Sequence, residues 1–269
     1  MVIALGFVIS VFIGLTGVGA GSMTTPLLIL LLGMPASEAV GTALIFGAAV
    51  KVCTTPLYVK RRQVDWKALG FLLATGLPGV LGGSLLLRGV RGSVMTVVVG
   101  ATICSIALLN LFRFGHVARH DRKHWLMLVG LPIGAEVGFS SAGAGALGAL
   151  SLMSLTTLVP AAVVGTDLAF GLVLSSIGGG IHAAMGNLNV PILLQLLAGG
   201  LVGAVAGAML SSRLPSQKLR FVLCVMLVLL GGQLTYTSVQ KVRAENAADR
   251  TASQGDSPVQ VVAPAPRAH

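Results

Sequence analysis

The stretch Thr16-Gly17-Val18-Gly19-Ala20-Gly21-Ser22-Met23-Thr24-Thr25-Pro26 sets three glycines within five residues between two apolar runs. Each glycine costs a helix about 1 kcal/mol relative to alanine, so the cluster predicts an interruption. Sliding the sequence over itself by 124 residues lays Gly19-Ala20-Gly21 on Gly143-Ala144-Gly145. The correspondence runs without a gap from about Gly14 to Leu86. Gly14/Gly138, Gly41/Gly165, Thr42/Thr166, Phe46/Phe170, Gly47/Gly171, Gly79/Gly203 and Gly83/Gly207 coincide, as do Leu72-Leu73-Ala74 and Leu196-Leu197-Ala198. The chain is a tandem duplication, and its interruption was copied with it.

Around this repeat the composition is that of an integral membrane protein. Of 269 residues, 55% are hydrophobic and 10% charged, 36 are glycine, and the mean hydropathy is +0.92. Uncharged runs of about 17 to 23 residues recur, enough to cross a hydrocarbon core of roughly 30 Å at 1.5 Å per residue. Period-two alternation is absent, which argues against a transmembrane barrel. The opening run MVIALGFVISVFIGL has neither a basic flank nor a cleavage-site pattern and reads as a mature helix. The formal charge of +10 sits in short loops without interleaved aromatics, so it reports topology rather than nucleic-acid binding. Cys53, Cys104 and Cys224 are isolated in apolar runs and indicate neither disulfides nor zinc.

Taken in order, the first run, Val2 to Leu15, stops at the break and resumes as a short piece, Pro26 to Met34, too short to cross alone. Spans follow over Ala36 to Val59, Trp66 to Leu87 and Val94 to Phe112. The second half repeats the plan: a run from Trp125 to Phe139, a break over Ser140 to Gly145, a short piece Ala146 to Val159, and spans Pro160 to Met185, Pro191 to Leu210 and Leu219 to Thr237. The domain reading is a first transmembrane repeat over 1–112, a basic central loop over 113–124, a second repeat over 125–240 and a disordered tail over 241–269, whose composition cannot bury a core.

The expected fold is an all-α polytopic membrane protein of two homologous repeats, each a short broken or re-entrant helix pair plus three transmembrane helices. With three crossings per half the second repeat is inverted. The loops at Lys60 to Lys67, Arg113 to Lys123 and Arg213 to Arg220 then share the cytoplasmic side by their positive charge. The loop Gly186-Asn187-Leu188-Asn189, equivalent to the basic Arg62 region, is uncharged, as inversion requires. Four crossings per half would instead make the repeats parallel.

Helices that begin inside a membrane present unpaired N–H groups and a partial positive charge. Two such starts facing each other make an anion site, with glycines allowing close approach and hydroxyls adding donors. The candidate substrate-binding residues are Gly19, Gly21, Ser22, Thr24, Thr42, Lys51, Ser141, Gly143, Gly145 and Thr166, with Thr25 and Ser140 as further hydroxyls. Most other glycines serve helix packing. Lys51, inside an apolar span, either attracts the anion or snorkels toward Lys60. Asp167 and Glu136 are the in-membrane carboxylates and the candidates for ion coupling, Asp167 also being a partner for Lys51. His182 falls near a span end and reads as interfacial, with proton handling as the alternative. His116, His120 and His124 lie among Arg119, Arg122 and Lys123, which would repel a metal ion, and no catalytic or cofactor motif is present.

With these residues assembled, the chain resembles the sulfite exporter TauE/SafE family, also known as the 4-toluene sulfonate uptake permease family. The resemblance covers about residues 5 to 240. It rests on Gly14-Leu15-Thr16-Gly17-Val18-Gly19-Ala20-Gly21, on Pro26-Leu27-Leu28, on Ala39-Val40-Gly41-Thr42 and on the second copy Val163-Val164-Gly165-Thr166; Ala20 and Ala144 depart from the all-glycine end that is usual in the family. It implies a non-enzymatic secondary transporter of sulfite, organosulfonates or related carboxylates in the bacterial cytoplasmic membrane, working by alternating access. A non-transporting membrane scaffold or assembly factor and a passive anion channel are the alternatives. The expected partners are a small anionic substrate and the lipid bilayer, with either a proton or the anion gradient as the drive and with both monomer and homodimer open; no cofactor, metal or nucleic acid is expected.

Overall fold

The computed structural model describes residues 1–16, 20–86, 92–112, 122–210, 225 and 228–240. Gly19, the central loop over 113–121, the start of the last expected span and the tail from 241 lie outside the described residues.

The described chain is helical: α1 (Val2–Thr16), α2 (Ala20–Leu32), α3 (Ala36–Lys60), α4 (Trp66–Leu86), α5 (Gly92–Phe112), α6 (Leu126–Ser140), α7 (Gly143–Leu155), α8 (Pro160–Ala184), α9 (Val190–Leu210) and a last helical stretch α10 (228–240). In lipid every backbone N–H and C=O needs an internal partner, which a helix supplies within one segment. Four of these, α3, α4, α8 and α9, are long and apolar enough to cross a membrane, whereas α2 and α7 are 13 residues each. Large apolar side chains such as Leu128, Leu194, Val202 and Met209 point outward, the arrangement expected where the surroundings are hydrocarbon. Trp66 and Trp125 stand exposed at one end of the bundle, where amphipathic rings favour a membrane interface.

The interruptions are narrower than the sequence suggests. Helix α2 begins at Ala20 and carries Pro26 inside it, and α7 begins at Gly143. In the second half only Ser141 and Ala142 separate the helices, Ser141 adopting the left-handed conformation at φ 65°. Glycine propensity costs are small beside the satisfaction of backbone groups inside a membrane, so helix resumes as soon as the turn is made.

Packing ties the halves together through exchanged pairs. α1 lies on α9 and α4 lies on α6. Side chains at Gly203 and Gly207 would collide with the Phe7 and Val11 carbonyls, and side chains at Gly79 and Gly83 with those of Leu131 and Ala135. The two seams are the same seam displaced by 124 residues, each running backbone against backbone because glycine leaves the room.

Between the seams α3 packs against α8. Ile45 meets Gly179, Lys51 bonds Ser175 and Tyr58 meets Gly165, so the numbers rise on one helix as they fall on the other and the two run antiparallel. Their ends correspond as well. The Gln63 N–H donates to the Tyr58 carbonyl and the Asn187 N–H to the His182 carbonyl, both at 2.9 Å. The turn is made by a left-handed residue, Arg62 (φ 55°) after α3 and Gly186 (φ 77°) after α8. Asp65 then caps α4 by accepting from Lys67 N and Ala68 N, each at 3.0 Å. Asn189 caps α9 by accepting from Ile192 N at 3.2 Å.

Candidate functional site

The starts of α2 and α7 meet at the middle of the bundle. A side chain at Gly21 would run into the backbone and hydroxyl of Ser141, and Thr25 Oγ1 lies 2.6 Å from Ser141 Oγ. Ser22, Thr24 and Thr25 are all buried. Sequence reasoning placed Gly21, Ser22, Thr24, Thr25 and Ser141 at one site, and the fold brings Gly21 and Thr25 into direct contact with Ser141. Gly19 lies outside the described residues. Gly143 is the first residue of α7. Gly145 has φ +103°, open to glycine but strained for any other residue.

Asp167 is drawn into the same place. It is 1% exposed, in the first two turns of α8, and its Oδ1 accepts the Gly145 N–H at 3.3 Å. Gly148, one turn into α7, makes the room, since a side chain there would strike Asp167 Oδ1. A carboxylate thus sits at the start of α7, where the helix dipole favours negative charge.

Lys51 is 3% exposed in the middle of α3, and its Nζ donates to Ser175 Oγ on α8 at 3.1 Å. It does not snorkel toward Lys60. Ser175 is Lys51's own counterpart in the duplication, so this bond crosses the line about which the halves correspond, and the Asp167 carboxylate acts on the ammonium through its charge. Ser175 could have been found in the sequence by asking what the repeat places opposite Lys51.

Other expected residues serve elsewhere. Thr42 Oγ1 accepts from Asn189 N at 3.1 Å and Thr166 Oγ1 from Asp65 N at 2.9 Å, so each threonine holds the capping residue of the other half. Glu136 is half-buried and accepts from Ser140 Oγ at 2.5 Å, within its own helix. His182, in the last turn of α8, is buried within the protein, with Nε2 3.0 Å from the Gly138 carbonyl; a carbonyl only accepts, so Nε2 carries the proton. Among the described residues no group of three His, Cys, Asp or Glu is placed to hold a metal ion.

At the tryptophan end, outside the spans, Lys123 Nζ donates to Asp65 Oδ2 at 2.8 Å. Partial burial pushes the Asp65 carboxyl upward. The Lys123 bond, the N–H bonds from α4 and the lysine charge outweigh it and hold the group below its ordinary value of 3.8.

The family model of the sulfite exporter TauE/SafE matches residues 2–234 of this chain. Among curated proteins the chain is similar to the "Probable membrane transporter protein YjnA" of Bacillus subtilis, 27% identical over 250 residues that cover 87% of this chain and 98% of the relative. It is also similar to YunE of the same organism, named likewise, at 24% identity over 89% of this chain and 98% of the relative. A "Probable membrane transporter protein" of Haemophilus influenzae is 25% identical over 86% of this chain and 92% of its own length. No solved structure matches.

Proposed function

This chain belongs to the sulfite exporter TauE/SafE family of membrane transporters, and from that premise we propose that it is a secondary transporter of a small sulfur-containing oxyanion in the bacterial cytoplasmic membrane. Sulfite, organosulfonates and related carboxylates form the substrate class. The observation that carries the reading is the meeting of the two helix starts: Gly21 against Ser141, Thr25 hydrogen-bonded to Ser141, and the buried Lys51 donating to Ser175 between α3 and α8. Amide N–H groups and hydroxyls where the helix starts meet, with the Lys51 ammonium buried between α3 and α8, suit an oxyanion, and the Asp167 carboxylate beside the start of α7 balances part of that positive charge.

Alternating access follows from a site on the line of correspondence between two inverted halves. Two features support inversion. α3 and α8 are counterparts and run antiparallel, so an axis relating them lies across the helices. The Lys123–Asp65 ion pair draws the loop before α4 and the segment before α6 to one end, while the Asn189 cap sits beside Thr42 near the start of α3, at the other. The moving bodies are then the glycine-seamed pairs, α1 with α9 and α4 with α6, tilting on either side of α3 and α8. Where a proton drives the cycle, one of the in-membrane carboxylates, Asp167 or Glu136, carries it.

Counterflow of labelled sulfite in proteoliposomes tests the proposal. Exchange across the membrane that saturates with internal sulfite is the expected result. Conductance without counterflow would identify a channel, and neither would leave a scaffold.

A further inference from the structure

The duplication makes the two halves comparable position by position, and among the positions at the site where they differ, one pair of exchanges concerns a single contact. Where the second half has Asp167, the first has Ala43; where the second has Gly148, the first has Thr24. The second pair is in contact, with the Asp167 carboxylate filling the room that Gly148 leaves and accepting the Gly145 N–H. The equivalent of Gly145 in the first half is Gly21. There no carboxylate is available from position 43. Instead Thr24, fully buried on the first turn of α2, has a hydroxyl that finds no hydrogen-bond partner among the described residues. A threonine inside a helix ordinarily bonds the carbonyl one turn back, and a buried hydroxyl left unsatisfied is destabilising. Thr54, Thr156 and Thr235 in this chain make that local bond; Thr24 does not.

We propose that the two helix starts hold anions of different origin: Asp167 is a built-in anion for α7, and the transported oxyanion is held at the start of α2, with Thr24 donating its hydroxyl. The site is therefore single, although the fold is double. Asp167 keeps the start of α7 and the Lys51 charge compensated while the α2 side is empty. A free oxyanion enters only the half from which position 43 withholds a carboxylate. This inference rests on the transport reading above and narrows it to one anion per chain.

Binding of radiolabelled sulfite to the purified full chain in detergent, measured to saturation, tests it. The wild type is expected to take up one sulfite per chain. Thr24→Val, which keeps the shape and removes the hydroxyl, should weaken binding by about tenfold or more, the worth of a hydrogen bond to a charged group. Ala43→Asp made together with Thr24→Gly, which leaves the room that Gly148 leaves in the second half, should abolish binding by installing a second built-in carboxylate, while Thr24→Gly alone should keep the weakened binding of Thr24→Val once the variants are shown to be folded by their melting. Two sulfites per wild-type chain overturn the inference and leave transport standing. Undiminished binding by Thr24→Val does the same, whatever becomes of Ala43→Asp. A wild-type chain that neither binds nor exchanges sulfite or methanesulfonate overturns both.

Discussion

Lys51 shows how a single side chain divides structure from function. A lone ammonium inside an apolar bundle is costly, but where a second buried charge faces it, removing one of the two leaves the other uncompensated and destabilises the fold. Lys51→Met, which strands the buried Asp167 carboxylate, is therefore expected to melt lower than wild type and to lose sulfite counterflow, while Lys51→Met combined with Asp167→Asn should recover the melting temperature and not the flux. A drop of more than a few degrees with flux retained would mark the lysine as structural. Asp65 shows its contribution through pH instead. Its carboxyl is held below 3.8 in the folded chain, so the stability it contributes is complete above that ordinary value and is lost as pH falls through the lower, folded one. Asp65→Asn keeps the cap, as Asn189 does in the other half, and should flatten the loss of melting temperature seen on acidification below about pH 4. An unchanged acid limb would remove Asp65 from that account. Both residues stand out in the sequence as charges, and their partners are legible to different degrees. Ser175 lies 124 positions from Lys51, the spacing of the repeat itself, whereas the 58 positions between Asp65 and Lys123 correspond to no pattern in the sequence.

Helices α3 and α8 were legible almost to the residue, since Pro35 and Pro160 open them and a basic loop ends the first. The starts of α2 and α7 were not, because glycine clusters mark weak helix without saying whether membrane surroundings will enforce it. The roles of Thr42 and Thr166 were hidden for a related reason. The backbone N–H groups they accept from belong to Asn189 and Asp65, in the opposite half. One element end carries its own prediction. Arg62 holds a left-handed conformation that Gly186 fills in the equivalent turn, and such a conformation costs a residue with a Cβ about 1 to 2 kcal/mol. Arg62→Gly should raise the melting temperature in detergent, the net gain being about 0.5 to 1 kcal/mol after the glycine's greater unfolded entropy. A lowered melting temperature would show that the Arg62 side chain contributes more than its strain.

The whole molecule is a duplicated chain whose halves are interleaved rather than juxtaposed. In a variant with Cys53, Cys104 and Cys224 replaced, single cysteines at Arg61 and Val190, both exposed, should be labelled by a membrane-impermeant maleimide from opposite faces of the membrane. Labelling from one face would make the repeats parallel. The duplication itself was plain in the sequence; the exchange of α1 and α6 between halves was not, because glycines at matching positions state that two backbones approach without saying which two. That exchange bears on synthesis. α6 emerges after its seam partner α4 and can join it at once, but α1 is made first and its partner α9 begins only at Val190. At roughly 5 to 20 residues per second, α1 waits on the order of ten seconds or more with its glycine face uncovered. Insertion chaperones and membrane proteases therefore meet this protein first through α1, and late truncations that spare the first half entirely should still be cleared from the cell.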